Sequence, residues 1–251
     1  MIVTHDHGAV RELRLNRPPV NALSAELMAE LRQAVESAPH EGARALVLSG
    51  LPGKFSAGLD LPLLLKQDRP AIHHSWRELY GLMSALALSP IPIAAAITGH
   101  APAGGTVLSI FCDWRVVAEG EWKLGLNEVR VGLPLPPVIF SGLSLLVGGR
   151  QAARLAVGGL LISPDEALRV GLVDEIAAHD QVVPRAIEWC KQLLALPIDA
   201  MTVTRREARN GLFALFSGPF EREIEQVTAS WWNPETQSML RSVVNRLTQK
   251  K

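Results

Sequence analysis

Leu27, Leu31 and Val35 recur at four-residue spacing behind Ser24, while Glu30, Arg32, Gln33 and Glu36 fill the other faces. That period predicts an amphipathic helix capped by Ser24, with one apolar stripe against a core. Residues 2–4 and 9–15 alternate polar and apolar positions around Asp6-His7-Gly8, the pattern of a hairpin. Residues 45–48 and 91–97 are short and apolar throughout, bounded by Gly or Pro, as buried strands are. A long helix is predicted over residues 69–88, carrying His73, His74, Trp76 and Tyr80, and a buried one begins at residues 107–111. Short strands at 114–118 and 122–124 flank Glu119-Gly120-Glu121. The second half is more helical. Ser163-Pro164-Asp165-Glu166 has the capping-box pattern with Pro at the first helical position, and Gly171 is placed to end that helix. Helical periods follow at 184–194, 198–210, 220–232 and 234–247. The class implied is α/β: a mixed strand-and-helix core over residues 1–195, then a helical C-terminal part over 196–251.

Composition narrows the partners. Nearly half the residues, 48%, are apolar, enough for a sizeable core, and 25 Lys plus Arg balance 25 Asp plus Glu. That balance removes the usual electrostatic footprint of a nucleic-acid binder. Cys112 and Cys190 both lie in apolar segments without metal-ligand spacing and read as buried reduced thiols. The polar start Met1-Ile2-Val3-Thr4-His5-Asp6-His7-Gly8 is not a secretory signal, and no apolar run is long enough to cross a bilayer uninterrupted. A soluble, cytoplasmic protein is expected. The sequence shows no low-complexity segment and no internal repeat.

Two corners of small residues carry the candidate chemistry. Gly99-His100-Ala101-Pro102-Ala103-Gly104-Gly105-Thr106 joins an apolar strand to an apolar helix, and Lys54-Phe55-Ser56-Ala57-Gly58-Leu59-Asp60-Leu61 follows another strand. Glycine lets a ligand approach backbone N–H groups closely, so such a corner suits an oxyanion. A tight turn with glycines for steric reasons alone is the competing reading.

Phe55-Ser56-Ala57-Gly58-Leu59-Asp60-Leu61, Gly99 to Gly105 and Cys112-Asp113 together resemble the crotonase (enoyl-CoA hydratase/isomerase) superfamily. The likeness continues through Asn16-Arg17-Pro18, Glu166-Ala167 and Gly171-Leu172-Val173-Asp174, covering almost the whole chain. It implies a spiral of repeated strand-strand-helix (ββα) units, assembly as a homotrimer or dimer of trimers through the C-terminal part, which also acts as a lid, and an acyl-CoA substrate. No cofactor and no metal is implied, coenzyme A being part of the substrate. The resemblance also assigns an oxyanion hole to the amides of Leu59 and Gly104. Ala103 stands where the family usually has the first of three glycines. The backbone of Ser56 and Ala57 resembles the part that meets the adenine. Arg14, Arg17 and Lys54 are candidates for the CoA phosphates or, equally, solvated cations. Asp60 is a helix cap or a substrate contact, and His100 a solvent-facing or packing residue.

Family hydratases resemble one another in having two glutamates. Where the first would stand, this chain has Val107, which cannot carry a proton. The second matches Glu128, in Gly125-Leu126-Asn127-Glu128, and resembles the single glutamate of mitochondrial-type Δ3,Δ2-enoyl-CoA isomerases. Water addition uses two carboxylates comfortably. Moving a double bond from position 3 to position 2 needs one base that takes the α-proton and returns it at the γ-carbon. Beside Leu126, Val107 and an acyl chain, Glu128 should have its charged form disfavoured. The acyl pocket is expected to include Val107, Trp76 and Leu126, although Trp76 and its neighbours also fit a helix-packing role.

Overall fold

The computed structural model describes residues 1–248; the last three residues of the expected C-terminal part lie outside the described residues. The chain opens with strand β1 (Ile2–His7), antiparallel to β2 (Val10–Leu15). The turn falls at Gly8-Ala9, where Gly8 has φ +74°, later than the Asp6-His7-Gly8 reading. Asp6 and His7 remain in the ladder because they sit opposite Arg11 and Val10, and Arg11 Nε donates to Asp6 Oδ1 at 2.7 Å across it. Helix α1 (Ala25–Ser37) follows, with Ser24 Oγ accepting from Leu27 N at 3.3 Å. A serine cap of this kind stabilises a helix by about 1 kcal/mol.

A repeating unit then emerges. Strands β3 (Ala45–Ser49) and β4 (Gly53–Lys54) lead into α2 (Leu61–Leu64) and α3 (Arg69–Leu88). Strands β5 (Ile93–Ile97) and β6 (Gly99–Pro102) lead into α4 (Gly104–Ile110). Strands β7 (Trp114–Ala118) and β8 (Leu124–Gly125) lead into a 3-10 turn at Glu128–Val131, then α5 (Pro137–Val147) and α6 (Gly149–Val157). In each unit the first strand enters a larger sheet, of order β1-β2-β3-β5-β7-β9, and the second enters a smaller one, β4-β6-β8. Here β9 is Glu175–Ala177, reached after α7 (Pro164–Arg169). Apart from the β1–β2 hairpin, the pairings between these strands are parallel among the described residues. These are the ββα turns of a crotonase-like spiral.

Parallel strands covered on both faces read as unbroken apolar runs. Leu46, Leu48, Ile93, Ala95 and Ile97 point into the main core, while Ala45, Val47, Ala94 and Ala96 point into a second one covered by α8 (Val182–Leu194). The strand period of two thus divides each run between two cores. Ser163 Oγ accepts from Glu166 N, capping α7 as its capping-box pattern predicts. Cys112 and Cys190 are buried and unpaired, and burial pushes both thiols up to about 12.

The C-terminal part consists of α9 (Ile198–Ala208), α10 (Asn210–Leu215), α11 (Glu221–Trp231) and α12 (Pro234–Thr248). It is tied to the core by charge. Arg205 and Arg209 both reach Asp113, between α4 and β7, and Arg209 Nη2 also donates to Leu86 O, Ala87 O and Phe111 O at the ends of α3 and α4. Positive charge at helix C-termini is favourable there. No helix of the described residues is long and apolar enough to cross a membrane.

Candidate active site

The small sheet organises the site. Its register places Gly53 opposite Gly99, Lys54 opposite His100, Ala101 opposite Leu124 and Pro102 opposite Gly125, all parallel. Parallel strands end on the same side, and in α/β folds ligands bind beyond those carboxyl ends. Beyond β4 comes the corner ending in Leu59, beyond β6 the corner holding Gly104, and beyond β8 the segment reaching Glu128. One sheet edge therefore gathers three segments that lie far apart in the chain.

Close backbone packing joins the first two. A Cβ placed on Gly58, whose φ is +81°, would stand 3.0 Å from the Gly104 nitrogen and 3.0 Å from the Ala103 Cβ. A Cβ on Gly104 would meet Leu23 Cδ1 at 2.7 Å and the Gly58 Cα at 3.0 Å, and one on Gly105 would meet Ser56 O at 2.6 Å. Glycine is the residue that fits each position. Around Leu59, the neighbouring amides are used: Gly58 N donates to Ser56 Oγ and Asp60 N to Leu23 O. Leu59 N and Gly104 N donate to no acceptor among the described residues. Unpaired amides on adjoining strands of backbone are what an oxyanion requires, each worth roughly 3 to 4 kcal/mol to a developing negative charge.

Ala103 joins these segments under strain. Its φ of 48° and ψ of −117° lie where residues with a Cβ rarely go, and its N–H donates to Gly125 O at 2.8 Å. Thr106 adds a second tie, its Oγ1 donating to Ala101 O at 2.5 Å and accepting from Gly125 N at 2.8 Å. The Gly104 corner is thereby fixed to the strand that leads to Glu128.

Glu128 opens its 3-10 turn half-buried, but its Oε2 is cut off from solvent and has no hydrogen-bond partner among the described residues. Burial pushes its carboxyl up to about 7, opposed by its own backbone N–H. A carboxylate that holds its proton near neutrality can both take and return one. Val107, one turn into α4, is 1% exposed, and Trp76 and Leu126 are buried in the same core. The site therefore offers unpaired amides and a poised carboxylate.

The remaining candidates divide. Ser56 is buried, with Oγ donating to Asn21 O at 2.7 Å, and Ala57 is exposed beside it. Arg17 is engaged by Asp60 Oδ2 at 2.6 Å and Ala22 O at 2.9 Å, whereas Lys54 is exposed. Asp60 caps α2, accepting from Leu63 N at 3.1 Å, as its capping reading has it. His100 is exposed, packs edge-on against Trp122 and accepts from Lys123 N through Nδ1. Sequence reasoning passed over Asn21. Buried at φ +50°, it accepts from Arg17 N through Oδ1, and its Nδ2 donates to Phe55 O at 3.0 Å. The available signal was an asparagine next to a Pro-Pro loop, since Asn tolerates the left-handed region.

Comparison with known proteins agrees with this geometry. Residues 5–214 match the enoyl-CoA hydratase/isomerase family model. The mitochondrial enoyl-CoA delta isomerase 1 of Mus musculus is 32% identical over 255 aligned positions, spanning 100% of this chain and 88% of that protein. A probable enoyl-CoA hydratase of Mycobacterium avium is also 32% identical, over 82% of this chain and 79% of its own. The crystal structure of human mitochondrial delta3-delta2-enoyl-CoA isomerase superposes with a TM-score of 0.94 at 30% identity, covering 100% of this chain and 99% of that one. The sheet that assembles Leu59, Gly104 and Glu128 is thus a shared framework, and the chain belongs to the enoyl-CoA hydratase/isomerase (crotonase) family.

Proposed function

We propose that this enzyme moves the double bond of a 3-enoyl-CoA to give the trans-2-enoyl-CoA, with Glu128 as the single proton carrier. The observation that carries the reading is the pairing of one poised carboxylate with a valine at the other acid position. Glu128 has a buried Oε2 without a partner, and Val107 is buried on α4. In the reaction, Glu128 removes a proton from the α-carbon and the electron pair of that C–H bond spreads over a dienolate. Its oxygen accepts hydrogen bonds from Leu59 N and Gly104 N. The same carboxyl then returns the proton to the γ-carbon, leaving the 2,3 double bond. Nothing is oxidised and no water is consumed.

The basic groups nearest the Leu59 corner, Arg17 and Lys54, together with the backbone at Ser56 and Ala57, are the parts we assign to coenzyme A. Trp76, Val107 and Leu126 are assigned to the acyl chain. Relatives named as hydratases make water addition the competing chemistry. Supplying a 3-enoyl-CoA and a 2-enoyl-CoA separately distinguishes the two. Isomerisation of the first with negligible 3-hydroxyacyl-CoA from the second is expected. Efficient hydration of the 2-enoyl-CoA overturns the proposal.

A further inference from the structure

Glu128 has an unusual need. Among the described residues its Oε2 has no partner, and its side chain receives a hydrogen bond only from its own backbone. The position of the carboxylate is therefore set by the backbone turn that carries it, Glu128–Val131. That turn is short, and it is closed by Gly132 N–H, which donates to Glu128 O and Val129 O, and by Leu133 N–H, which donates to Glu128 O at 3.1 Å. Single turns of this kind have little stability of their own.

Two anchors from distant parts of the chain hold it. On one side, Arg130 Nε donates to Gly159 O at 2.6 Å and Arg130 Nη2 to Gly158 O at 3.1 Å, gripping the loop after α6. On the other, Thr236 Oγ1 donates to Gly132 O at 2.7 Å. Thr236 is 4% exposed, in the first turn of α12, and lies 104 positions along the chain from Gly132. The contact is close: Gly132 has φ +76°, and a Cβ there would stand 3.3 Å from both the Thr236 Cα and the Met239 sulfur. Helix α12 also packs against α2, the helix that begins just after Leu59. One C-terminal helix thus touches the turn bearing the base and the helix that follows one oxyanion amide.

The geometry points to Thr236 as a positioning residue, which with Arg130 clamps the Glu128 turn so that the C-terminal helix is part of the catalytic apparatus of its own chain. The proposal rests on Glu128 being the base. It does not require a particular double-bond position in the substrate. Glu128 is kept in its high-pKa state by burial. The charged groups on the turn and on the helices packed against it are Arg130, Glu235, Arg241 and Arg246 of the turn and α12, and Arg150 and Arg154 of α6; burial is the largest influence on the carboxyl. Loosening the clamp admits water to the carboxylate and lowers its pKa towards the ordinary value.

The test compares Thr236→Val, which keeps the shape and deletes the hydroxyl, with Thr236→Ser, which keeps the donor. In Thr236→Val, kcat for the 3-enoyl-CoA is expected to fall about 10- to 100-fold with little change in KM, because a small misplacement of a base is costly. The ascending limb of its pH profile should move to lower pH, by about one unit. Thr236→Ser should restore both. Independently of turnover, a 13C NMR titration of the glutamate carboxyls, with Glu128→Gln to assign the signal, reads the Glu128 pKa in each folded variant. An unchanged Glu128 titration in a folded Thr236→Val protein overturns the clamp. So does an equal loss of activity in Thr236→Ser. Failure of the wild type to isomerise would count against the proposed reaction instead, while the titration would still decide the clamp.

Discussion

Asp113 and Glu128 are both withdrawn from solvent, and the chain treats them in opposite ways. Asp113 Oδ1 accepts from Arg205 Nε at 2.7 Å and is ion-paired with Arg209 Nη1 at 3.1 Å. Its Oδ2 accepts from Arg205 Nη2 at 2.9 Å and Ile93 N at 2.8 Å. Both oxygens are engaged, and the result is a knot joining α9 to the core. Glu128 Oε2 accepts nothing among the described residues, and burial pushes the carboxyl up to about 7. A satisfied buried charge holds structure together, whereas an unsatisfied one stores reactivity. The same division marks the backbone. The large sheet pairs its six strands in one continuous order, while Leu59 N and Gly104 N have no acceptor among the described residues and Ala103 is strained beside them.

Removing the reactive member should have the largest effect. Glu128→Gln keeps shape but cannot take a proton, and isomerisation measured with a 3-enoyl-CoA should fall by about 1,000-fold or more. Affinity for the CoA portion, read by calorimetry, should be largely kept. Breaking the structural member should act on stability. Asp113→Asn leaves Arg205 and Arg209 buried without their countercharge, and denaturant unfolding should show a loss of about 3 kcal/mol.

The comparison sharpens with pH. Glu128 has its carboxyl pKa raised in the folded state, from 4.5 to about 7, so between those values the folded chain binds more protons than the unfolded one. Its contribution to stability is therefore present below about 4.5 and is lost as pH rises through about 7. Glu128→Gln should be the more stable protein at pH 8, by about 2 kcal/mol after allowing for partial exposure of the residue, and should show no advantage at pH 4. Thermal melts of both proteins across that range check the sign. The smallest effect is expected at Ala103, where Ala103→Gly relieves the positive φ. The gain, offset by glycine's greater freedom in the unfolded chain, should be under about 1 kcal/mol in chemical denaturation.

Much of this was legible in the residues. The corners around Gly58 and Gly104, the valine at 107 and the glutamate at 128 carry the family likeness, and each is local in sequence. The repeat was legible through the family likeness and not from periodicity, because β4 and β8 are two residues long and β6 four, too short for a period to show. Helix α5 was hidden by its composition, Pro137–Val147 being apolar on nearly every face and so lacking a polar stripe. Trp122-Lys123-Leu124 read as a strand, but only Leu124–Gly125 pairs, with β6, since Trp122 turns to donate its indole N–H to Glu119 O. Asn21, Arg130 and Thr236 act through contacts with residues far away or with bare carbonyls, and single polar residues leave no pattern for such contacts.

The most direct measurement follows one hydrogen. A 3-enoyl-CoA deuterated at the α-carbon is turned over in ordinary water and the 2-enoyl-CoA product is analysed for deuterium at the γ-carbon. Transfer by Glu128 alone predicts that a substantial fraction of the label arrives there, carried across the dienolate by one buried carboxyl. A γ-carbon bearing only solvent hydrogen, at every pH tested, would mean that a second acid delivers the proton and would contradict the single-glutamate mechanism.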